Sequence, residues 1–280
     1  MIVFLNGQFV PEAEAKVSVF DRSFLYGDGL FESVRVYAGK PFRWPQHLER
    51  LHAGAKFLGI RLPFSDAELT AAATGLLTRN ALPEATLRLV LSRGVGPRGY
   101  SPKGADSPTL VMTLHPAPVV SPGQPMRWEL ITSSFRIPAG DRLATFKTAN
   151  KLAQVLARAE AEERGADEAL LLNTDGRFAE AASSNLFWIE NGVICTTPLA
   201  EGLLAGVTRA FALELAGQLG LPTAERSCRL WQLQQAEGVF LTNSSLEIVP
   251  AIALDGIPLR ESPLTKELHF AYQRETIKQA

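Results

Sequence analysis

The sequence predicts an α+β fold in two domains, and three observations carry that prediction. Apolar strand-like runs meet at two-residue turns, Asn6-Gly7, Ala38-Gly39, Asn191-Gly192 and Asp255-Gly256, the strongest short hairpin signals. Helical segments interrupt these hairpins without regular strand–helix–strand alternation, which disfavours a doubly wound parallel sheet. The segment PAPVVSPGQP (116–125) holds four prolines and a glycine in ten residues and is the best interdomain linker. The expected division is a small N-terminal α/β domain over 1–118 and a larger C-terminal α/β domain over 119–280.

Taken in chain order, IVFLNGQFV and LFESVRVYAGKPF read as strand pairs. PQHLERLHAGAKFLGI opens on a proline and SDAELTAAATGLLTRN on a Ser-x-x-Glu capping box, so both read as helices. TLRLVLSRG and TLVMTLH are β-rich. Beyond the linker, MRWELITSS resumes as a strand. FKTANKLAQVLARAEAEERGADEALLL then reads as a helix, with Leu152, Val155, Leu156 and Ala159 on one face, followed by a strand. RFAEAASSNLFWIE and VICTTP are further strand candidates. LLAGVTRAFALELAGQLG contributes a second helix, starting near Gly206. GVFLTNSSLEIVPAIALDGIPL reads as strand, loop, strand.

Composition narrows the function. Of 280 residues, 46% are hydrophobic and 20% charged, with a net charge of −1, the balance of a globular protein and not of a phosphate-backbone binder. There is no apolar run of about 18 residues to suggest a membrane span. MIVFLNGQFV lacks the parts of a signal peptide. Cys195 and Cys228 stand in no metal or redox spacing, which fits a reduced cytoplasmic setting, and the four histidines are scattered, so no metal site is expected.

Lys147 raises the sharpest question. It stands just before a helix, with Lys151 one turn later, and a cation at that end opposes the helix dipole. A random lysine is a solvated surface group. Here, however, the flanks ATF and TANKL are no charged face, and the dipole should lower the amine's pKa, as a Schiff-base lysine requires. Glu180, between two alanines, is either an edge-strand surface residue or a buried partner for a cation. Ser183, Ser184 and Asn185 shape a turn or donate hydrogen bonds beside that carboxylate. Gly206, Val207 and Thr208 at a helix start could cup a phosphate, as many helix starts could. Asn243, Ser244 and Ser245 could close on an anion. Arg50 could reach a phosphate or pair with Glu49. A reactive lysine, a carboxylate and a phosphate cup, in that order, suit pyridoxal 5′-phosphate. A two-domain binding protein in which Lys147 is an ordinary surface group is the reading from another class.

FDRSFLYGDGLFESVRVY, FKTANKLAQVLA, EAASSNLFWI, LLAGVTR and LTNSSLEIVP together give a resemblance, over nearly the whole chain, to the class IV (fold type IV) pyridoxal phosphate enzymes. These include D-amino acid and branched-chain aminotransferases and 4-amino-4-deoxychorismate lyase. The resemblance implies that Lys147 carries the cofactor and Glu180 partners the pyridine nitrogen. It implies that Arg50, Val207, Thr208 and Ser244 bind the phosphate, with Ser184 and Asn185 also on the cofactor side. It further implies a homodimer.

The same resemblance places Arg98, Tyr100, Phe31 and Arg88 on the substrate side. Arg98 and Tyr100, in SRGVGPRGYSP, can present a guanidinium and a phenol to a carboxylate, although composition alone reads that stretch as a surface loop. Arg-Gly-Tyr-Ser is similar to the deoxychorismate lyases, where D-amino acid aminotransferases usually have histidine in place of Tyr100. Ser33 stands where the lyases typically carry threonine and keeps the hydroxyl of a proton donor. Arg88 falls where branched-chain enzymes place a substrate-facing arginine, so transamination stays open beside the favoured lyase reaction.

Overall fold

The computed structural model describes residues 1–118, 120 and 123–279. Residues 119, 121 and 122 of the expected linker lie outside the described residues. The chain forms two compact units. One is Met1–Ala117 with Phe146–Asn150 and the chain end from Thr276; the other is Pro118–Thr145 with Lys151–Glu275. The segment carrying Lys147 thus clusters with the N-terminal unit, not with the residues on either side of it.

The first unit contains β1 (Ile2–Leu5), β2 (Gln8–Pro11), α1 (Arg22–Tyr26), β3 (Gly29–Tyr37), β4 (Lys40–Pro41), α2 (Trp44–Leu58), α3 (Asp66–Asn80), β5 (Ala85–Val95) and β6 (Ser107–Pro116). Its sheet runs β2-β1-β6-β5-β3-β4, antiparallel at every pairing. The turn residues Asn6 and Gly7, and Ala38 and Gly39, all have positive φ, the conformation a two-residue hairpin turn demands. Period-two alternation sends Leu30, Val34 and Val36 of β3 and Leu87, Leu89 and Leu91 of β5 into a core shared with Leu48 and Leu51 of α2 and Leu69 and Leu76 of α3. Phe31, Ser33 and Arg88 consequently project from the other face. The expected capping box is present: Ser65 Oγ accepts the Glu68 N–H at 3.3 Å, and the Ser65 N–H donates to Glu68 Oε2 at 2.8 Å.

The second unit contains β7 (Trp128–Ile137), α4 (Leu152–Glu163), β8 (Glu168–Asn173), β9 (Phe178–Ala181), β10 (Asn185–Glu190), β11 (Val193–Thr196), α5 (Val207–Gln218), β12 (Thr223–Glu225), α6 (Leu230–Gln235), β13 (Gly238–Asn243), β14 (Glu247–Leu254), β15 (Ile257–Pro258) and most of α7 (Pro263–Gln279). The sheet is mixed, in the order β12-β11-β10-β13-β14-β7-β8-β9, with β15 on β14. Parallel pairings at β14–β7, β7–β8 and β11–β12 sit among antiparallel ones, so the fold is α+β as expected.

Three local expectations are corrected. RFAEAASSNLFWIE is two strands, because the Ser183 N–H and hydroxyl bond the buried Glu168 carboxylate and the Ala181 N–H turns back to Ser184 O at 2.8 Å. The face of α4 is reversed: Leu152 is 70% exposed and Val155 60%, while Ala157 and Ala161 are buried against β7 and β8. Small residues on the sheet side let that helix approach closely. The terminal helix α7 was not anticipated.

Replacing Ser65 with Ala removes the cap while leaving the α3 core face intact, and should cost about 1 kcal/mol. Urea unfolding of the variant at neutral pH measures it.

Candidate active site

Lys147 owes its position to β3. The Phe31 N–H donates to Lys147 O and the Ala149 N–H to Gly29 O, both at 2.9 Å, making a short antiparallel bridge between Leu30 and Thr148. Gly27, left-handed at φ +67, is needed just upstream: a Cβ there would lie 2.3 Å from Asn150 Oδ1, while Asn150 Nδ2 donates to Gly27 O. Because 147–149 is pinned as extended chain, α4 starts only at Leu152, with Lys151 as its cap residue. The dipole argument for Lys147 is therefore corrected: Lys151, not Lys147, stands at the helix terminus.

Lys147 Nζ lies 4.6 Å from the centre of the Phe31 ring, and the Arg88 guanidinium carbon lies 3.5 Å from the same ring. Arg88 is directly across from Ser33 in the β3–β5 register, and its Nη1 donates to Ser33 Oγ at 2.9 Å. Burial pulls the Arg88 pKa down to about 10, opposed by the charge of Glu32. Lys147, Arg88, Phe31 and Ser33 are thus one cluster, electropositive and built on an aromatic floor.

Glu32 points the other way, into the helix-covered side. Its Oε1 accepts from Arg50 Nε at 2.8 Å, and its Oε2 accepts from Arg50 Nη2 at 2.6 Å and meets His47 Nδ1 at 2.7 Å. Burial alone would raise its pKa, but the Arg50 charge and hydrogen bonds, with help from His47, hold it down at about 2. Burial lowers the His47 pKa, opposed by Glu32, with Arg50 and Lys147 adding to the lowering. A neutral His47 with its proton on Nδ1, facing an ionised Glu32, follows. Arg50 pairs with Glu32. Neither Glu32 nor His47 was anticipated; the available signal was His47 and Arg50 at i, i+3 on one helix face.

In the second unit, Glu180 is buried on β9 and its Oε2 accepts the Leu204 N–H at 2.9 Å. Asn185 Nδ2 donates to Leu204 O, also at 2.9 Å, so one residue's backbone is gripped from both ends. Gly206 then caps α5; a Cβ there would lie 1.9 Å from Asn185 Oδ1. Among the described residues no side chain caps this helix, so the N–H groups of Val207 and Thr208 face no intrahelical or capping acceptor there. The Thr208 hydroxyl is 3.4 Å from that of Ser244, which sits in the β13–β14 turn. Asn243 shapes the turn by accepting the Ser245 and Leu246 N–H groups, and its Nδ2 donates to Ser184 Oγ at 3.0 Å. Glu180, Ser184, Asn185, Val207, Thr208 and Ser244 are thereby brought together.

Arg98 and Tyr100 lie on the loop that follows β5, and Tyr100 is 88% exposed. The contacts of this loop run to Arg22 and Tyr26, with no hydrogen bond to Phe31, Ser33, Arg88 or Lys147 among the described residues. No group of three or more His, Cys, Asp or Glu residues among the described residues is placed to hold a metal ion, and no helix among them is long and apolar enough to cross a membrane.

The amino-transferase class IV family model matches residues 29–254, and the chain belongs to that family. It is 38% identical over 256 residues to a protein of Methanocaldococcus jannaschii described as a putative branched-chain-amino-acid aminotransferase, covering 91% of this chain and 88% of that one. It is 31% identical to the aminodeoxychorismate lyase of Bacillus subtilis, covering 98% and 94%. The branched-chain aminotransferase of the thermophilic archaeon Thermoproteus uzoniensis, solved with norvaline, superposes with a TM-score of 0.92 at 30% identity, over 100% of this chain and 95% of that one. Structural neighbours of the same class have been solved with pyridoxamine 5′-phosphate and with a phosphopyridoxyl-glutamate adduct. The protein is a class IV enzyme, and its cofactor is pyridoxal 5′-phosphate. Each unit by itself offers donors that fit such a group: the second a buried carboxylate for a ring N–H and helix N–H groups and paired hydroxyls for a phosphate, the first a lysine amine for an aldehyde.

The Glu32 pKa gives a pH signature. Its folded value, about 2, lies below the ordinary 4.5, so its contribution is fully present above pH 4.5 and disappears as pH falls towards 2. The gap corresponds to roughly 3 kcal/mol. Glu32→Gln should be less stable than the parent by that order at pH 6, and the difference should shrink steadily below pH 4.5 in urea titrations.

Proposed function

We propose that the protein is a 4-amino-4-deoxychorismate lyase, releasing pyruvate and the folate precursor 4-aminobenzoate. The carrying observation is the 2.9 Å hydrogen bond from Arg88 Nη1 to Ser33 Oγ, in the cluster that holds Lys147. A guanidinium only donates, so Ser33 accepts and its own proton is left to give. The adjacent positive charge favours releasing that proton. A departing enolpyruvate needs such a donor, and the Arg-Gly-Tyr-Ser string supports the same reaction.

When bound, the cofactor supplies an electron sink for the pair left behind as a substrate proton is removed. Lys147 would carry the cofactor and, once displaced by the substrate amine, take the ring proton. Glu180, fixed by the Leu204 N–H, would hold the pyridine nitrogen protonated. Val207 and Thr208 N–H groups, the Thr208 and Ser244 hydroxyls and Arg50, oriented by Glu32, would bind the phosphate. Asn185 would keep the Leu204 backbone in line and Ser184 the Asn243 turn. Phe31 and Arg88 would form the substrate floor, with Arg98 and Tyr100 binding a substrate carboxylate.

Transamination is the second reading, and Arg88 favours it. A half-buried guanidinium on the same ring as Lys147 can pair with the carboxylate of an amino acid, and the Methanocaldococcus relative's description agrees. Lys147 would then shuttle the α-proton, and a 2-oxo acid would accept the amino group from a D-amino acid or a branched-chain one. We read the assembly as a homodimer, supported by the apolar Leu152, Val155 and Leu156 that α4 presents outward. A cytoplasmic setting is in keeping with two free cysteines, Cys195 and Cys228.

Borohydride reduction of the holoenzyme and peptide mapping should find the phosphopyridoxyl group on Lys147; recovery on Lys151 would overturn the assignment.

Incubation with aminodeoxychorismate should yield pyruvate and 4-aminobenzoate in equal amounts, and Ser33→Ala should slow this about 100-fold with the cofactor absorbance unchanged. Conversion of the cofactor to its pyridoxamine form by L-leucine or D-alanine, without pyruvate from aminodeoxychorismate, would establish the transaminase instead.

A further inference from the structure

Arg22 takes no part in the cofactor or proton chemistry, yet it is only 3% exposed and all three of its guanidinium nitrogens are committed to fixed acceptors. From α1 its Nε donates to Asp28 Oδ2 at 2.8 Å, its Nη1 to Gly99 O at 2.9 Å and its Nη2 to Tyr100 O at 3.2 Å. Asp28 is shared: Arg93 Nε donates to the same oxygen at 2.7 Å, while Arg93 Nη1 and Nη2 hold Gly59 O and Leu58 O at 3.1 and 2.8 Å. Burial works against the Asp28 charge, but Arg93 and Arg22 hold its carboxyl below the usual range. Tyr26 adds a second grip. Its hydroxyl accepts the Gly99 N–H at 3.2 Å, its ring meets that of Tyr100 edge-to-face at 5.7 Å, and Arg22 lies over its face at 5.0 Å.

The held segment would otherwise be loose. Gly94, Gly96 and Gly99 punctuate it, Gly94 and Gly99 at positive φ, and ordering such a chain at the moment of binding costs affinity. The β5 end is fixed by steric necessity, since a Cβ on Gly94 would lie 1.8 Å from Ser107 O. Nothing comparable crowds Gly99, which has open space around it. Among the described residues, Gly99 and Tyr100 are held by the two carbonyl bonds from Arg22, the bond to the Tyr26 hydroxyl and the Tyr26–Tyr100 ring contact.

We propose that Arg22, oriented by Asp28 and seconded by Tyr26, is a positioning residue that pre-sets the Arg98–Tyr100 loop to receive a substrate carboxylate. This rests on the reading that Arg98 and Tyr100 bind that carboxylate. A planar fork with several fixed donors can hold two successive carbonyls and a carboxylate at once; an ammonium on a flexible stem cannot. The role concerns binding geometry and leaves the Lys147 chemistry untouched.

The test uses Arg22→Lys, Tyr26→Phe and Gly99→Ala holoenzymes, with Arg98→Ala as the reference. Arg22→Lys keeps the charge facing Asp28 and loses the fork. Tyr26→Phe removes only the hydroxyl. Gly99→Ala strains the loop at φ +108 while leaving the side chains of the ion cluster unaltered. Each should raise KM for aminodeoxychorismate, or for the amino acid donor if that is the substrate, by roughly tenfold. The expected split keeps kcat, the cofactor absorbance and the melting temperature near those of the parent. Unchanged KM in Arg22→Lys and Tyr26→Phe, with KM raised in Arg98→Ala, would overturn the clamp and leave the loop reading standing. Unchanged KM in Arg98→Ala would remove the loop reading itself, and the clamp with it. Should Arg22→Lys fail to fold, Tyr26→Phe and Gly99→Ala decide the matter alone.

Discussion

Two backbone hydrogen bonds, Phe31 N–H to Lys147 O and Ala149 N–H to Gly29 O, are the constraint on which the first unit's site depends. They turn a segment distant in sequence into an extra edge partner for the start of β3. Side chains alternate along a strand, so fixing the register of 147–149 against 29–31 fixes which side of the sheet each group can occupy. Lys147 comes to lie over Phe31, and Ser33, two residues further along β3, joins the same face. A slip of one residue would reverse those directions. The close approaches at Gly27 and Gly29 guard against such a slip, because a side chain at either would collide with Asn150 or with the Leu91 carbonyl.

The two faces of β3 divide the electrostatic work. On one, Arg88 and the Lys147 amine share the Phe31 ring, with no carboxylate bonded to Arg88 among the described residues, and such a surface draws anions. On the other, Glu32 is surrounded by Arg50 and His47 and stays ionised despite its burial. Had Glu32 and Ser33 exchanged places, the carboxylate would neutralise Arg88 and compete with any anionic substrate. His47 would face a hydroxyl, and Arg50 would lose its bidentate partner. The order of these two residues is thus a condition for anion recognition beside Lys147.

How much of this was legible in the sequence depended on how local each cause is. The Asn6-Gly7 and Ala38-Gly39 hairpins and the Ser65–Glu68 box were readable because the chemistry that makes them lies within a few residues. The break between Phe178–Ala181 and Asn185–Glu190 was not, because it is made by Glu168, on a different strand. The buried face of α4 is not legible from its apolar stripe, because Ala157 and Ala161 pack on the sheet while Leu152 and Val155 face outward. Lys147 is singled out in the sequence by the helix dipole, a reason that does not hold; what positions it, pairing with β3, joins residues over a hundred positions apart. Resemblance supplied the residue where local physics could not. It proposes Glu180 and Thr208 in the same way, and passes over Glu32, His47 and Arg22, whose contacts are with neighbouring side chains and backbone.

The choice between lyase and transaminase chemistry cannot reside in the groups that serve the cofactor, since both reactions need a lysine, a ring-nitrogen partner and a phosphate cup. It must reside where protons are given and where substrate carboxylates are held. In the proposed reading, Ser33 and Arg88 combine those two tasks in one hydrogen bond. While Arg88 donates to Ser33 it polarises the hydroxyl, which serves elimination. Were a substrate carboxylate to draw the guanidinium away, the same arginine would become a specificity group and Ser33 would lose its activation. The two chemistries therefore compete for one guanidinium. A carboxylate held on the 96–100 loop leaves Arg88 with Ser33, whereas a substrate whose carboxylate must find Arg88 takes it from Ser33. If that loop holds the substrate carboxylate, as proposed, its anchoring by Arg22 and Tyr26 favours the lyase in this competition.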